Sequence, residues 1–252
     1  MAASHSIVVI CEGPADRRTA CEIADRVLSH SVDWMPPEAL DGFRQWRGLK
    51  KSEPFLAWRR IHALADAANI RVHGHFEGEP GAPDAAVALR ALKLLMIQGE
   101  QDIDAVVLLR DSDADVRRRK GLEQARSNFS GLGPIIIGLA HSKRECWVLA
   151  GFDATDDDER ARLEALRREL GFDPCLDAAR LTATHPGAKQ DAKRVLGELT
   201  RGDVQREMRC SESPSLRQLE DRGAETGLKE FIREIRERLV PIWTGSSAPL
   251  VK

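Results

Sequence analysis

Three short apolar runs in this chain break off into acids. Ser6-Ile-Val-Val-Ile-Cys11 is followed by Glu12, with Asp16 four residues on. Ala105-Val-Val-Leu-Leu109 gives way to Arg110-Asp111-Ser112-Asp113. Pro134-Ile-Ile-Ile-Gly-Leu-Ala140 leads to Lys143 and Glu145. Carboxylates that converge in a partly desolvated site repel one another. A hard divalent cation relieves that repulsion, and Mg²⁺ takes a few carboxylates while keeping positions for water and phosphate oxygens. Two such ions activate a water and stabilise a leaving oxygen in phosphodiester cleavage. The plainer roles for the same residues are also physical. Asp111 and Asp113 suit helix caps, Glu145 suits the first turn of a helix, and Lys143 suits a solvated surface.

The elements that must position these residues follow from the pattern. The three apolar runs read as strands buried on both faces. Pro14 sits well in the first turn of a helix over Ala15–Ser29, whose Ala20, Ile23, Ala24, Val27 and Leu28 share one face. Residues 31–53 are irregular and carry Trp34, Phe43, Trp46 and the Lys50-Lys51 pair, and a loop of that length is usually functional. Helices are expected at Phe55–Ala68, Asp84–Gln98, Asp115–Asn128 and from Glu145 to Ala150. The alternating stretch Ile70–Phe76 is expected to be the second strand. Strands alternating with helices mean a parallel sheet covered on both faces. In such a sheet ligands bind at the carboxyl ends of the strands, about 4.8 Å apart from strand to strand. From Asp153 onward the strand signal vanishes, with helices expected at Asp156–Leu170, Lys189–Leu199 and Glu225–Leu239. The expected architecture is α/β: a four-stranded parallel sheet flanked by helices over 1–152, with an insert at about 31–68, and a helical C-terminal region over 153–252.

Composition removes several classes. The 252 residues carry 38 basic and 40 acidic side chains, a net charge of −2, so nucleic-acid affinity must come from local patches and not from a polybasic surface. Arg17-Arg18 and Arg117-Arg-Arg-Lys120 are such patches, although Asp115 and Glu123 stand ready to pair with the second. Trp34, Trp46 and Trp58 serve either to stack bases or to pack the insert. Five cysteines without a CxxC argue for reduced thiols in a cytoplasmic protein. Met1–Ser6 has no basic leader, and no apolar run suits a membrane span. There is no tyrosine to form a covalent link to DNA. There is also no GxxxxGK[ST], so no P-loop ATP site, and no GxSxG.

The order strand–Glu12-Gly13–x–x–Asp16–helix, then strand–Asp111–x–Asp113, resembles the TOPRIM (topoisomerase–primase) domain, in particular the tyrosine-free nucleases of the OLD type (overcoming lysogenisation defect). Lys143-Arg-Glu145-Cys-Trp-Val-Leu-Ala150 and His185-Pro-Gly-Ala-Lys189-Gln-Asp-Ala-Lys193 are similar to segments of small standalone TOPRIM-like proteins. The resemblance implies a Mg²⁺- or Mn²⁺-dependent endonuclease acting on nucleic acid, DNA before RNA. It also implies a partner ATPase of the ABC or OLD type, in antiviral defence against phage. Glu12 would be ligand or general base, Asp16 would help hold one metal, and Asp111 and Asp113 would be the principal ligands. Glu145 would complete the second metal site or orient a water, and Lys143 would offset charge on the scissile phosphate. One residue departs from the pattern: glycine usually follows the DxD pair, and here it is Ala114.

Two other functions fit parts of the sequence. A regulatory or interaction subunit with a degenerate TOPRIM-like site would explain Ala114. A DxD-dependent glycosyltransferase would explain Asp111 and Asp113 but neither Glu12 nor Glu145.

Overall fold

A computed structural model describes residues 4–99 and 103–245. The first three residues of the expected leaderless start and residues 246–252 of the expected helical region lie outside the described residues. The elements run β1 His5–Cys11, α1 Pro14–Ser31, α2 Leu40–Phe43, β2 Arg44–Arg47, β3 Leu56–Ala57, α3 Trp58–Ala67, β4 His75–Phe76, β5 Glu79–Pro80, α4 Ala85–Gln98, β6 Ala105–Asp111, α5 Arg117–Ser127 and β7 Ile135–Ala140. They continue with α6 Arg144–Ala150, α7 Asp157–Leu170, α8 Ala192–Thr200, α9 Val204–Glu212, α10 Leu216–Arg222, α11 Leu228–Glu234, a π-helical turn Ile235–Leu239 and α12 Pro241–Thr244. The chain divides into two compact units. Among the described residues, the first comprises 4–99, 103–110, 115–138 and 233–245; the second comprises 111–114 and 139–232.

The first unit is built on a mostly parallel sheet of order β2-β1-β6-β7, with β3 also paired to β1, so five strands form it and not four. The three apolar runs supply β1, β6 and β7, and Ile7–Cys11 and Ala105–Leu108 are almost completely buried, as strands covered on both faces must be. On one edge of β1 lies β6, in parallel register with Ile7 opposite Ala105 and Ile10 opposite Leu108. Two short strands share the other edge: β2 pairs along His5–Val8 and β3 at Ile10 and Cys11, both parallel. The loop between them closes at Gly48. A Cβ there would lie 2.6 Å from the Phe55 carbonyl, so only glycine permits the approach.

The second strand is therefore Arg44-Gln-Trp-Arg47, inside the stretch expected to be irregular. Ile70–Phe76 does not enter this sheet. Only His75-Phe76 is extended, in a two-stranded antiparallel hairpin with Glu79-Pro80. Gly74 interrupts the alternation, whereas β2 is a polar edge strand that no apolar run announces. The expected helices form with ends shifted by a few residues. α3, α8 and α11 each start three residues late; α8 starts at Ala192 because Asp191 caps it, accepting from the Lys193 amide, and this leaves Lys189 outside the helix. Glu234 is buried in this unit and draws the guanidinium groups of Arg126 (2.7 Å), Arg238 (3.1 Å) and Arg119 (3.3 Å).

The second unit is helical from α6 onward apart from its loops and short 3-10 turns. Its core gathers Val148, Leu149 and Phe152 with Leu163, Leu166, Leu170, Phe172, Val195, Leu196 and Leu199. Glu159 is buried beside Arg206 (2.5 Å) and also accepts from the Thr155 amide (2.8 Å). The Arg206 hydrogen bond holds the Glu159 carboxyl down to about 2. Trp147 stacks on Phe231, with centroids 5.0 Å apart, and donates to the Thr226 carbonyl at 2.7 Å. All five cysteines are free and buried. No helix among the described residues is long and apolar enough to cross a membrane.

Candidate functional site

In the first unit, Glu12 stands one residue past β1. Extending the β1–β6 register by two places puts Arg110 opposite it, and Arg110 Nη1 donates to Glu12 Oε1 at 2.9 Å. Arg110 is itself fixed: its Nε reaches Asp84 at 3.3 Å and its guanidinium lies 5.4 Å from the centre of the Trp58 ring, a cation–π distance. Trp58 is anchored in turn by its indole N–H on the Leu109 carbonyl at 2.6 Å. Asp16 sits in the first turn of α1. Its Oδ2 accepts the Gly13 amide at 2.8 Å, the reach-back half of a capping box.

In the second unit, two turns are laced together. Asp111 closes β6, and its Oδ1 accepts the Arg144 amide at 2.8 Å. That amide is an orphan donor at the start of α6, whose N-cap residue Lys143 offers no side-chain cap. Asp111 is thus a helix cap, but for a helix 33 residues away and not for the one that follows it. The Ser112 amide donates to the Ala140 carbonyl (2.8 Å) and the Asp113 amide to the Ser142 carbonyl (3.1 Å). Asp113 and Ala114 are both left-handed, with φ of 46° and 65°. Ala114 therefore adopts the conformation that the glycine of the resembled motif would take without strain.

Lys143 lies on the second of these turns. Its ammonium bonds Asp191 Oδ1 at 3.0 Å. Asp191 is buried, and its Oδ2 accepts the Gly187 amide at 2.9 Å. The two segments singled out in the sequence as similar to TOPRIM-like proteins, 143–150 and 185–193, thus meet through one ion pair. Burial pushes the Asp191 carboxyl up, but the Gly187 amide, Lys143 and the Lys193 amide outweigh it and hold it below the usual carboxylate range. Glu145 bonds Arg144 at 3.2 Å, and Arg144 also reaches Glu207 at 2.6 Å.

Asp111, Asp113, Lys143 and Glu145 are therefore brought onto two adjoining turns of the second unit, while Glu12 and Asp16 belong to the first. Sequence reasoning missed Arg110, Arg144 and Asp191 as organisers of these acids. The signal for Arg110 was its place directly before the DSD, and Arg144 and Asp191 lay inside the two quoted segments, but nothing in the sequence linked them to Asp111 and Lys143. Two arginines of the second basic patch pair as expected, Arg117 with Asp115 and Arg119 with Glu123, while Arg118 reaches Asp84.

The donors are all oxygen, which suits a hard cation. Their placement does not yet suit one. Among the described residues no group of three or more His, Cys, Asp and Glu side chains is gathered to hold a metal ion. Glu12 and Glu145 each have a guanidinium partner that a cation would have to displace. Comparison of the chain with protein-family models, with curated proteins and with solved structures finds no match.

Proposed function

We propose that the chain is a metal-dependent nuclease that hydrolyses phosphodiester bonds of nucleic acid, DNA before RNA, as the effector beside a partner ATPase in phage defence. The observation that carries this reading is the Asp111–Ala114 turn. Its acids follow a parallel strand at the carboxyl end, where open α/β sheets place their ligands. Its backbone keeps a strained left-handed pair, a cost that proteins concentrate at functional turns. Bound Mg²⁺ or Mn²⁺ would polarise the phosphate and activate water. The chain's own residues fix the acids: Arg144 orients Asp111 through its amide, and Asp191 holds the Lys143 ammonium in place. The family resemblance supporting this reading rests on the residues alone.

The guanidinium partners of Glu12 and Glu145 favour a second reading, a regulatory or interaction subunit in which arginine stands where a cation would be. Incubating the purified chain with supercoiled, linear and single-stranded DNA and with RNA, in Mg²⁺ or Mn²⁺, tests the first reading. Cleavage that disappears in Asp111→Asn supports it. Intact nucleic acid in every arm, together with a melting curve unmoved by metal, selects the second.

A further inference from the structure

The first unit holds an open cavity of about 420 Å³ lined by none of the strand-end acids; the one carboxylate on its described lining, Asp41 of α2, is paired with Arg44 at 2.6 Å. Its walls include Arg17 of α1 and Arg44, Gln45 and Trp46 of β2. Side chains alternate across a strand, so Arg44 and Trp46 share a face, and both turn to one acid of α1. Asp25 Oδ1 accepts the Trp46 indole N–H at 2.9 Å and Arg44 Nε at 2.7 Å, while Oδ2 accepts Arg44 Nη2 at 2.7 Å. The indole is therefore fixed before any ligand arrives, which lowers the ordering cost of binding. Arg17 differs from Arg44. Among the described residues its guanidinium bonds the Pro54 carbonyl, through Nε at 2.8 Å, and pairs with no carboxylate.

The three tryptophans near the insert now separate. Trp58 is buried on the Leu109 carbonyl. Trp34 is exposed and packs edge-on to Phe43. Of the three, Trp46 lines this cavity, half-buried, and the Arg17 guanidinium lines it too. A fixed indole with a cation available to an anion matches one nucleotide unit, base on the ring and phosphate on the guanidinium. The size is in the range of small-ligand sites. We infer that this cavity, formed by Trp46 and Arg17, holds a nucleotide of a single-stranded nucleic acid. A strand fits better than a free nucleotide, because the cavity opens at the surface beside exposed Asp41 and Gln45 and leaves room for the chain to continue. The inference takes its substrate class from the nuclease reading, but binding needs no cleavage.

The test is the affinity of the full chain for a labelled twelve-residue oligothymidylate, by fluorescence anisotropy in EDTA, across a salt series. Wild type should bind measurably at low salt. Trp46→Leu should weaken binding by roughly tenfold or more, whereas Trp46→Phe, which keeps a ring but loses the bond to Asp25, should keep most of it. Arg17→Gln should weaken binding and reduce the slope of log K against log salt by about 0.7, one phosphate contact. Trp34→Ala should change nothing. Equal affinity in wild type, Trp46→Leu and Arg17→Gln overturns the inference, as does no binding by wild type. Thymidine monophosphate binding as tightly as the strand overturns the strand assignment. Cleavage of the same oligonucleotide in Mn²⁺ is scored separately: cleavage with unchanged binding in the variants sinks this site and spares the nuclease. Lost binding in the variants with no cleavage by wild type does the reverse.

Discussion

Glu12 and Asp111 both stand at the end of a strand, and they are held in opposite ways. Glu12 is exposed, and the bond to it comes from a long side chain, Arg110. Asp111 is half-buried, and the bond to it comes from a main-chain amide in the first turn of α6. Arg110 is held by Asp84 and Trp58, but Glu12 is the more exposed partner and can turn from it at small cost, since exposed ion pairs are worth little. An amide at a helix start cannot leave without unwinding the turn. Asp191 resembles Asp111, buried on amides of Gly187 and Lys193. Asp111 and Asp191 thus hold main-chain amides of their own unit in place, whereas the bond from Arg110 to Glu12 is a side-chain ion pair.

Substitution should expose that difference, most strongly at Asp191. Asp191→Ala leaves two amides and the Lys143 ammonium without their acceptor, and a loss of about 3 kcal/mol is expected in urea unfolding. The Asp191 effect should also depend on acid. Its folded carboxyl titrates below the unfolded one, so its contribution is complete above the unfolded value of about 3.9. The contribution then falls away as pH drops through the lower folded value. The stability gap between wild type and Asp191→Asn should be flat above about pH 5 and shrink below about pH 4. A gap that widens toward acid would contradict the amide-held picture.

Asp111→Ala comes next. Losing the cap of α6 should cost about 1–2 kcal/mol without any metal. If the nuclease proposal holds, wild type also gains stability with Mg²⁺ or Mn²⁺, about 2.7 kcal/mol at a hundredfold excess over Kd, and the variant does not. Equal melts of the two metal-free proteins would remove the cap role, and equal metal responses would remove the ligand role.

The sign reverses at Ala114. Ala114→Gly relieves the left-handed cost and should stabilise the protein by about 0.5–1 kcal/mol, less than the steric gain because glycine is freer when unfolded. A destabilised Ala114→Gly would mean the turn is not strained in solution. Smallest of all, Glu12→Gln should shift stability by no more than about 0.5 kcal/mol while abolishing the proposed cleavage. A loss as large as that of Asp111→Ala would erase the contrast drawn above.

What the sequence discloses follows the same physics. The runs around Ile7–Cys11, Ala105–Leu109 and Ile135–Ala140 are legible because strands buried on both faces must be apolar throughout. Arg44-Gln-Trp-Arg47 is not, because an edge strand needs only a neighbour, and its arginine and tryptophan are explained by Asp25 of α1, nineteen and twenty-one residues earlier. Ile70–Phe76 shows the converse: alternation that joins no edge of the main sheet leaves only the two-residue strand His75-Phe76. The acids at the strand ends were visible as residues, but not their partners. Asp111 meets Arg144, and Lys143 meets Asp191 across 48 positions. Ala114 was visible only as a departure from a pattern, and its φ gives that departure a cost.

The sulfur atoms make a built-in clock. Burial pushes the Cys146 thiol up to about 11 and those of Cys11 and Cys210 up to about 12, and raises Cys21 and Cys175 as well. Thiolates are the reactive form, so an alkylating reagent at neutral pH should find the folded chain silent and react only when a segment opens. Cys11 and Cys21 report on the first unit; Cys146, Cys175 and Cys210 report on the second. Mass spectrometry of partly alkylated chains would then date the two openings independently, without a single engineered label.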